Sequence, residues 1–253
     1  MKKIVYLLLT AIMCFALCGC SNEKAANALK DAIYLEKPVI NAANEGKIVI
    51  IHGYANMSKG AQDLDLGLSF DSPVVTRNVQ ILEAQTKSTT TTTTTNNKTD
   101  KKEVKKTTEY VWKDVNVKNN KTPFKTETFT GEAKIGDFTI TGNPLKVMFN
   151  NKNITVTREM ATRAGLNYWK QGISKAFMTT RRISDRFMTT NSELKAQNEG
   201  ASRISYVGKE KQSKSDYTVA GVQQNGKLVS TKEFTIQYYA GNLSKEQMIE
   251  KNK

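Results

Sequence analysis

The chain has 253 residues, a formal charge of +14 and only three cysteines and one histidine. That length suffices for one large domain or two small ones with a hydrophobic core. The single histidine and scarce cysteines exclude the usual zinc ligand sets and a disulfide framework, and no glycine-rich phosphate loop is present.

Lys2 and Lys3 are followed by an apolar run from Ile4 to Leu17, then by Cys18-Gly19-Cys20. A basic start, an apolar stretch of that length and small residues at its exit read as a secretory leader. A membrane span needs roughly 20 apolar residues, more than this run supplies. The ending resembles the bacterial lipobox, with Leu17 three places before the cut, Gly19 last before it and Cys20 as acceptor. The resemblance implies a diacylglycerol on the Cys20 sulfur, cleavage after Gly19, and an acyl chain such as palmitate on the new amino group. Cys14 and Cys18 would leave with the leader, so the mature protein would hold no free thiol. The expected organisation is a leader over 1–19, a lipidated tether over 20–27 and one domain over 28–253. The expected place is a bacterial cell envelope: the outer face of the cytoplasmic membrane, or the outer membrane facing the periplasm.

Ala25 to Leu35 predicts a helix, with Ala25, Ala28, Leu29, Ala32, Ile33 and Leu35 as its apolar stripe and Pro38 ending it. Asn44-Glu45-Gly46 is a turn. Lys47 to Tyr54 reads as a strand, and the continuous Ile48-Val49-Ile50-Ile51 predicts burial on both faces. Residues 58–72 read as irregular. Val74 to Gln85 is a second strand, in which Val75, Arg77, Val79, Ile81 and their neighbours alternate imperfectly. Lys87 to Lys106 contains seven consecutive threonines, Thr89 to Thr95. A polar tract of this kind reads as a low-complexity insertion over 86–106. Thr107 to Val117 regains strand character, which predicts a long hairpin with a disordered Thr/Lys-rich tip.

Phe124 to Ile140 is strand-like, with breaks at Gly131 and Gly136. Leu145 to Phe149 is a short apolar piece, and Ile154 to Thr157 another strand. From Glu159 to Met178, the spacing of Leu166, Trp169, Ile173 and Phe177 predicts a core-facing helix. Ser202 to Val207 is a strand. Tyr217 to Gln224 and Lys227 to Phe234 flank Asn225-Gly226, the strongest hairpin signal in the chain. Thr235 to Tyr239 extends that strand, and Ser244 caps a last helix. The expected fold class is α+β: a mainly antiparallel, β-rich domain with a few short helices.

Several blocks resemble, in order, the family of transmembrane protein 43, also called LUMA. They are Ala28-Leu29-Lys30, Asn44-Glu45-Gly46-Lys47-Ile48-Val49 with Gly53, Val75 to Ala84, Tyr110-Val111-Trp112, Ile135-Gly136-Asp137-Phe138, residues 200–206 and Leu243-Ser244-Lys245-Glu246. The departures are a missing aromatic-rich second strand, a histidine at a shifted place and no closing bundle of membrane helices. The resemblance implies that family's extramembrane domain alone, and it carries no catalytic residues over.

For chemistry, a hydrolytic relay would have to use His52 with Ser58 or Ser69 and Asp63 or Asp65, without a nucleophile elbow to support it. Asp63, Asp65 and Asp71 lack the spacing of a calcium loop. Paired carboxylates for glycoside hydrolysis leave no trace in sequence. Arg181, Arg182 and Arg186, and Lys209, Lys211 and Lys214, are the candidate anion-binding sets. No catalytic residue, metal or cofactor is assigned. The expectation is a non-enzymatic binding or assembly module. The alternatives are a receptor for a small or phosphorylated ligand and, behind it, a carboxylate-based envelope hydrolase. The expected partners are the membrane through Cys20, anionic lipid or glycan, and a protein, with no nucleic acid.

Overall fold

The computed structural model describes residues 23–93, 101–119, 121–170, 186–191 and 199–253. Residues 23–30 form a helix, α1, whose Ala25, Ala26 and Leu29 are buried. The helix stops short of the expected stripe. Ile33–Tyr34 is instead a strand, β1, paired in parallel with Val49 and Ile50. The Leu35 N–H donates to the Ile50 carbonyl at 2.9 Å, so strand pairing takes the apolar residues that helical spacing had claimed. After a 3-10 turn (Ala42–Asn44) comes β2 (Ile48–Lys59). The two-faced burial holds: Val49 and Ile51 enter one core and Ile50 another. The stretch read as irregular carries a miniature hairpin, β3 (Gln62–Asp63) and β4 (Leu68–Ser69).

β5 (Val74–Thr93) and β6 (Lys101–Asp114) form the expected long hairpin. Its ladder runs further into the threonine tract than the sequence suggested, through Lys87↔Thr107 to Thr93↔Lys101. Threonine favours extended backbone, so the strand propensity of the tract agrees with the ladder. β7 (Glu127–Thr130) returns to β5. β8 (Glu132–Ile135) and β9 (Phe138–Thr141) are a tight hairpin in a different sheet. Gly131 makes the switch between sheets: a Cβ there would overlap the Lys59 carbonyl oxygen and sit 2.7 Å from the Gly60 carbonyl carbon.

α2 (Asn143–Met148) opens with Pro144 in its first turn, where a missing N–H costs nothing. β10 (Asn151–Ile154) lies earlier than the expected 154–157 strand. Over its described part, residues 159–170, the helix predicted for 159–178 is overturned. α3 (Arg158–Arg163), capped by Thr157, ends at Gly165, whose φ is +66°. Asn167–Lys170 is then strand β11, carrying Trp169. Ile173 and Phe177 lie outside the described residues. β12 (Arg186–Thr189) and β13 (Ser202–Lys209) follow. β14 (Gln212–Gln224) and β15 (Lys227–Val229) meet at Asn225-Gly226, with φ of 50° and 73° as such a turn requires. The strand predicted to Phe234 ends at Val229, and residues 230–236 loop out before β16 (Gln237–Ala240). α4 (Lys245–Glu250) carries the full Ser244–Gln247 capping box.

The fold is therefore β-rich α+β, with two main sheets. In the first, β2-β8-β9-β15-β14 closes on itself through the β2–β14 pairing, forming a small barrel; β1 joins β2 and β16 joins β14. Ile51, Ile135, Phe138, Ile140 and Val219 fill it, with Leu145 and Met148 of α2 in the same cluster. The second sheet runs β11-β12-β13-β5-β6, with β10 on β13 and β7 on β5. α1 and α4 share a third cluster with Ile50, Ala220 and Phe234 on the outside of the barrel. Among the described residues, no helix is long and apolar enough to cross a membrane.

Candidate functional site

Two constellations stand out. The first is a buried ion cluster. Arg77 stands on β5 at the register of Val75, Val79 and Ile81, facing the second core, and is 0% exposed. Burying a guanidinium is tolerable only with its donors satisfied. One Nη1 donates to both oxygens of Asp63, at 2.7 and 2.8 Å. Nη2 donates to Asp65 at 2.9 Å and to Glu127 at 3.4 Å, and Nε to the Lys125 carbonyl at 3.1 Å. The rings of Phe129 and Phe124 lie 5.1 and 5.6 Å from the guanidinium carbon. The Tyr206 hydroxyl donates to Asp63 at 2.7 Å. Burial, then the neighbouring Asp63 charge, pushes the Tyr206 phenol far up, so it remains a donor. The Arg77 hydrogen bond holds the Asp65 carboxyl below its ordinary range.

This geometry reassigns the acids considered for catalysis or calcium. Asp63 and Asp65 converge on an arginine, and Asp71 pairs with Lys211 at 2.5 Å. Among the described residues, no hydrogen bond joins His52 to Asp63, Asp65, Ser58 or Ser69, and no cluster of acids, histidines and cysteines has metal-site geometry. His52 stands opposite Thr218 in the β2–β14 ladder, its Nδ1 buried without a partner. Arg186 stands across from Lys170 at the start of β12. Arg181, Arg182, Leu17, Gly19 and Cys20 lie outside the described residues. Burial, with help from the Lys214 charge, lowers the Lys209 ammonium.

A related stack occupies the other face of the second sheet. The Arg203 guanidinium carbon lies 4.4 Å from the Trp112 ring and 5.4 Å from Phe187, which stacks on Trp169 at 5.0 Å. Arg203 Nε donates to Gln80, whose amide donates to Asp114. Burial brings Arg203 down to about 10, opposed by the Asp114 charge. Both arginines are held in place by ladders of fixed partners, and they read as structural pins.

The second constellation is a groove of about 690 Å³ at one end of the barrel, between residues 141–144 on one wall and 228–230 with 235–239 on the other. It exists because β9 and β15 pair at a single position, Lys227↔Thr139, and then diverge. No carboxylate, imidazole, amine or thiol lines it among the described residues; its polar groups are hydroxyls and amides, and Tyr238 and Tyr239 supply the aromatic surface. Burial raises the Tyr239 phenol, which keeps it neutral.

The sequence held a signal for the first constellation, an arginine at an inward strand position between two valines. The groove had none, because residues almost a hundred positions apart build it. No family model, curated protein or solved structure matches the chain.

Proposed function

We propose that this chain is a non-catalytic binding and assembly module of a bacterial cell envelope, tethered by acyl chains on Cys20 and taking its partner in the groove between β9–α2 and β15–β16. The observation that carries the reading is the chemistry of that groove. A concave site of ligand-binding size, lined by hydroxyls, amides, aliphatic groups and two tyrosines, is equipped to bind and orient. Among the described residues its lining holds none of the paired acids and bases that proton transfer needs. The Asp63 and Asp65 carboxylates, the acids best placed for chemistry, are committed to Arg77. The leader and lipobox give the address. The blocks resembling the extramembrane domain of the transmembrane protein 43 family support a role at a membrane surface. The groove's volume also suits a small neutral metabolite, which keeps a receptor as the second reading.

The test places the photo-crosslinking residue p-benzoylphenylalanine at Thr141 or Gln237, in the groove, and at Lys134 on the outer wall of β8. Irradiated cells should yield a discrete adduct from the first two positions and none from the third. Identical adduct patterns from all three would remove the groove as the working surface.

A further inference from the structure

The groove's backbone, more than its side chains, indicates what fills it. The Gly241 N–H donates to the Asp216 carbonyl at 3.0 Å, one step beyond the Ala240↔Tyr217 pair. Antiparallel ladders alternate bonded and non-bonded pairs. Gln237 and Tyr239 therefore turn their N–H and C=O groups toward β14, and Tyr238 and Ala240 turn theirs outward. The outward N–H of Ile236 is already taken by the Ser230 hydroxyl, at 3.0 Å. On the facing wall, the Thr139 N–H reaches across to the Gly226 carbonyl at 3.0 Å. Thr141, two residues on, turns the same way after the strands have parted and pairs with no residue of β15. Two strand edges thus face each other across the opening. Among the described residues, no hydrogen bond meets the outward backbone groups of Thr141, Tyr238 or Ala240.

Exposed strand edges are normally blunted by lysine, proline or a bulge. β16 reads Gln-Tyr-Tyr-Ala and β9 reads Phe-Thr-Ile-Thr, with no such residue in either. We propose that the groove receives an extended polypeptide segment of a partner protein, added as a strand along β16 toward Thr141. Main-chain bonds supply its affinity, and the lining between Leu228, Ile236 and Pro144 takes an apolar side chain at every second residue. This rests on the groove being the binding surface and names its occupant. An uncharged lining favours a neutral segment over a basic or acidic one.

The experiment selects a phage-displayed library of random linear dodecapeptides on the full chain in detergent micelles, in parallel with its Ala240→Pro variant. Ala240 is exposed and its N–H points away from β14, so proline there deletes an edge donor without breaking a ladder bond. Enrichment should occur on the parent chain only, and a synthetic enriched peptide should bind the variant about 10-fold more weakly. Hydrogen exchange should slow at 141 and over 237–241. N-methylation of alternate peptide residues should abolish binding in one phase and spare it in the other, a readout on the parent chain that does not depend on the variant folding. Equal binding to both chains, protection elsewhere, or a dimer that forms through β16 and is lost in the variant would overturn the proposal. Cellohexaose serves as the second probe. If it protects 141 and 237–241 and no peptide does, the groove stands and the strand is wrong. If neither protects them, both fall.

Discussion

Replacing Arg77 by methionine tests whether the ion cluster is a pin of the second core. Methionine keeps an unbranched chain against Phe124 and Phe129 but removes the charge and all five donors. Asp63 is 0% exposed and receives two bonds from Arg77 and one from Tyr206. In the variant its charge would retain only the tyrosine. Removing one partner of a buried pair costs about 3–5 kcal/mol. For a chain of this size each kcal/mol is about 2–4 °C of melting temperature, so a fall of about 6–20 °C is expected by calorimetry. Adding Asp63→Leu and Tyr206→Phe removes the stranded charge and the orphaned hydroxyl together, and should recover most of the loss. Asp65 gives an independent check through pH. Its folded carboxyl lies below its ordinary value of 3.8, so its contribution is present above that unfolded pKa and is lost as pH falls through the lower folded value. The parent should lose melting temperature on acidification from about pH 5 to pH 2, and Arg77→Met should lose less over that window. A methionine variant melting within about 2 °C of the parent, or a triple variant no better than the single one, would refute the reasoning.

Three further outcomes are expected. Gly131→Ala forces backbone against backbone at Lys59 and Gly60, where no side chain can yield, and should cost about 1–3 kcal/mol or more in a denaturant titration. Replacing residues 90–104 by Asn-Gly closes the hairpin at the paired positions Thr89 and Lys105. Because β13 and β7 pair only with residues 74–81 of β5, the shortened chain should melt within about 3 °C of the parent. Cys20→Ala should incorporate no labelled fatty acid and should leave the membrane fraction after a high-salt wash; quantitative retention there would remove the lipid anchor.

What the sequence made legible were the features that local chemistry decides. The continuous run at Ile48 to Ile51 announced a strand covered on both sides, and the barrel interior and α1 supply those covers. Asn225-Gly226 and Ser244 determined a turn and a cap by conformations few residues favour. The failure over 159–170 is equally physical. Leu166 and Trp169 are three apart, which suits a helix face, but both lie beyond Gly165, where the backbone turns at φ +66°. Arg77 kept the alternation of its strand, and its inward position had meaning only once Asp63 and Asp65 folded over it. The groove was invisible because it arises where two strands stop pairing, and no residue encodes that by its type.

The shared packing of α1 and α4 has a kinetic consequence. The Lys245 ammonium donates to the Ala32 carbonyl at 2.9 Å across 213 positions of sequence, and Leu29 and Met248 belong to one cluster. A polypeptide emerging from its amino end must therefore wait until α4 has been made before α1 is covered. The barrel imposes a similar delay, since β2 acquires β14 only after more than a hundred and fifty intervening residues have appeared. Contacts of such long range form slowly. The barrel and the α1–α4 cluster should therefore stay open until β14 and α4 have both appeared.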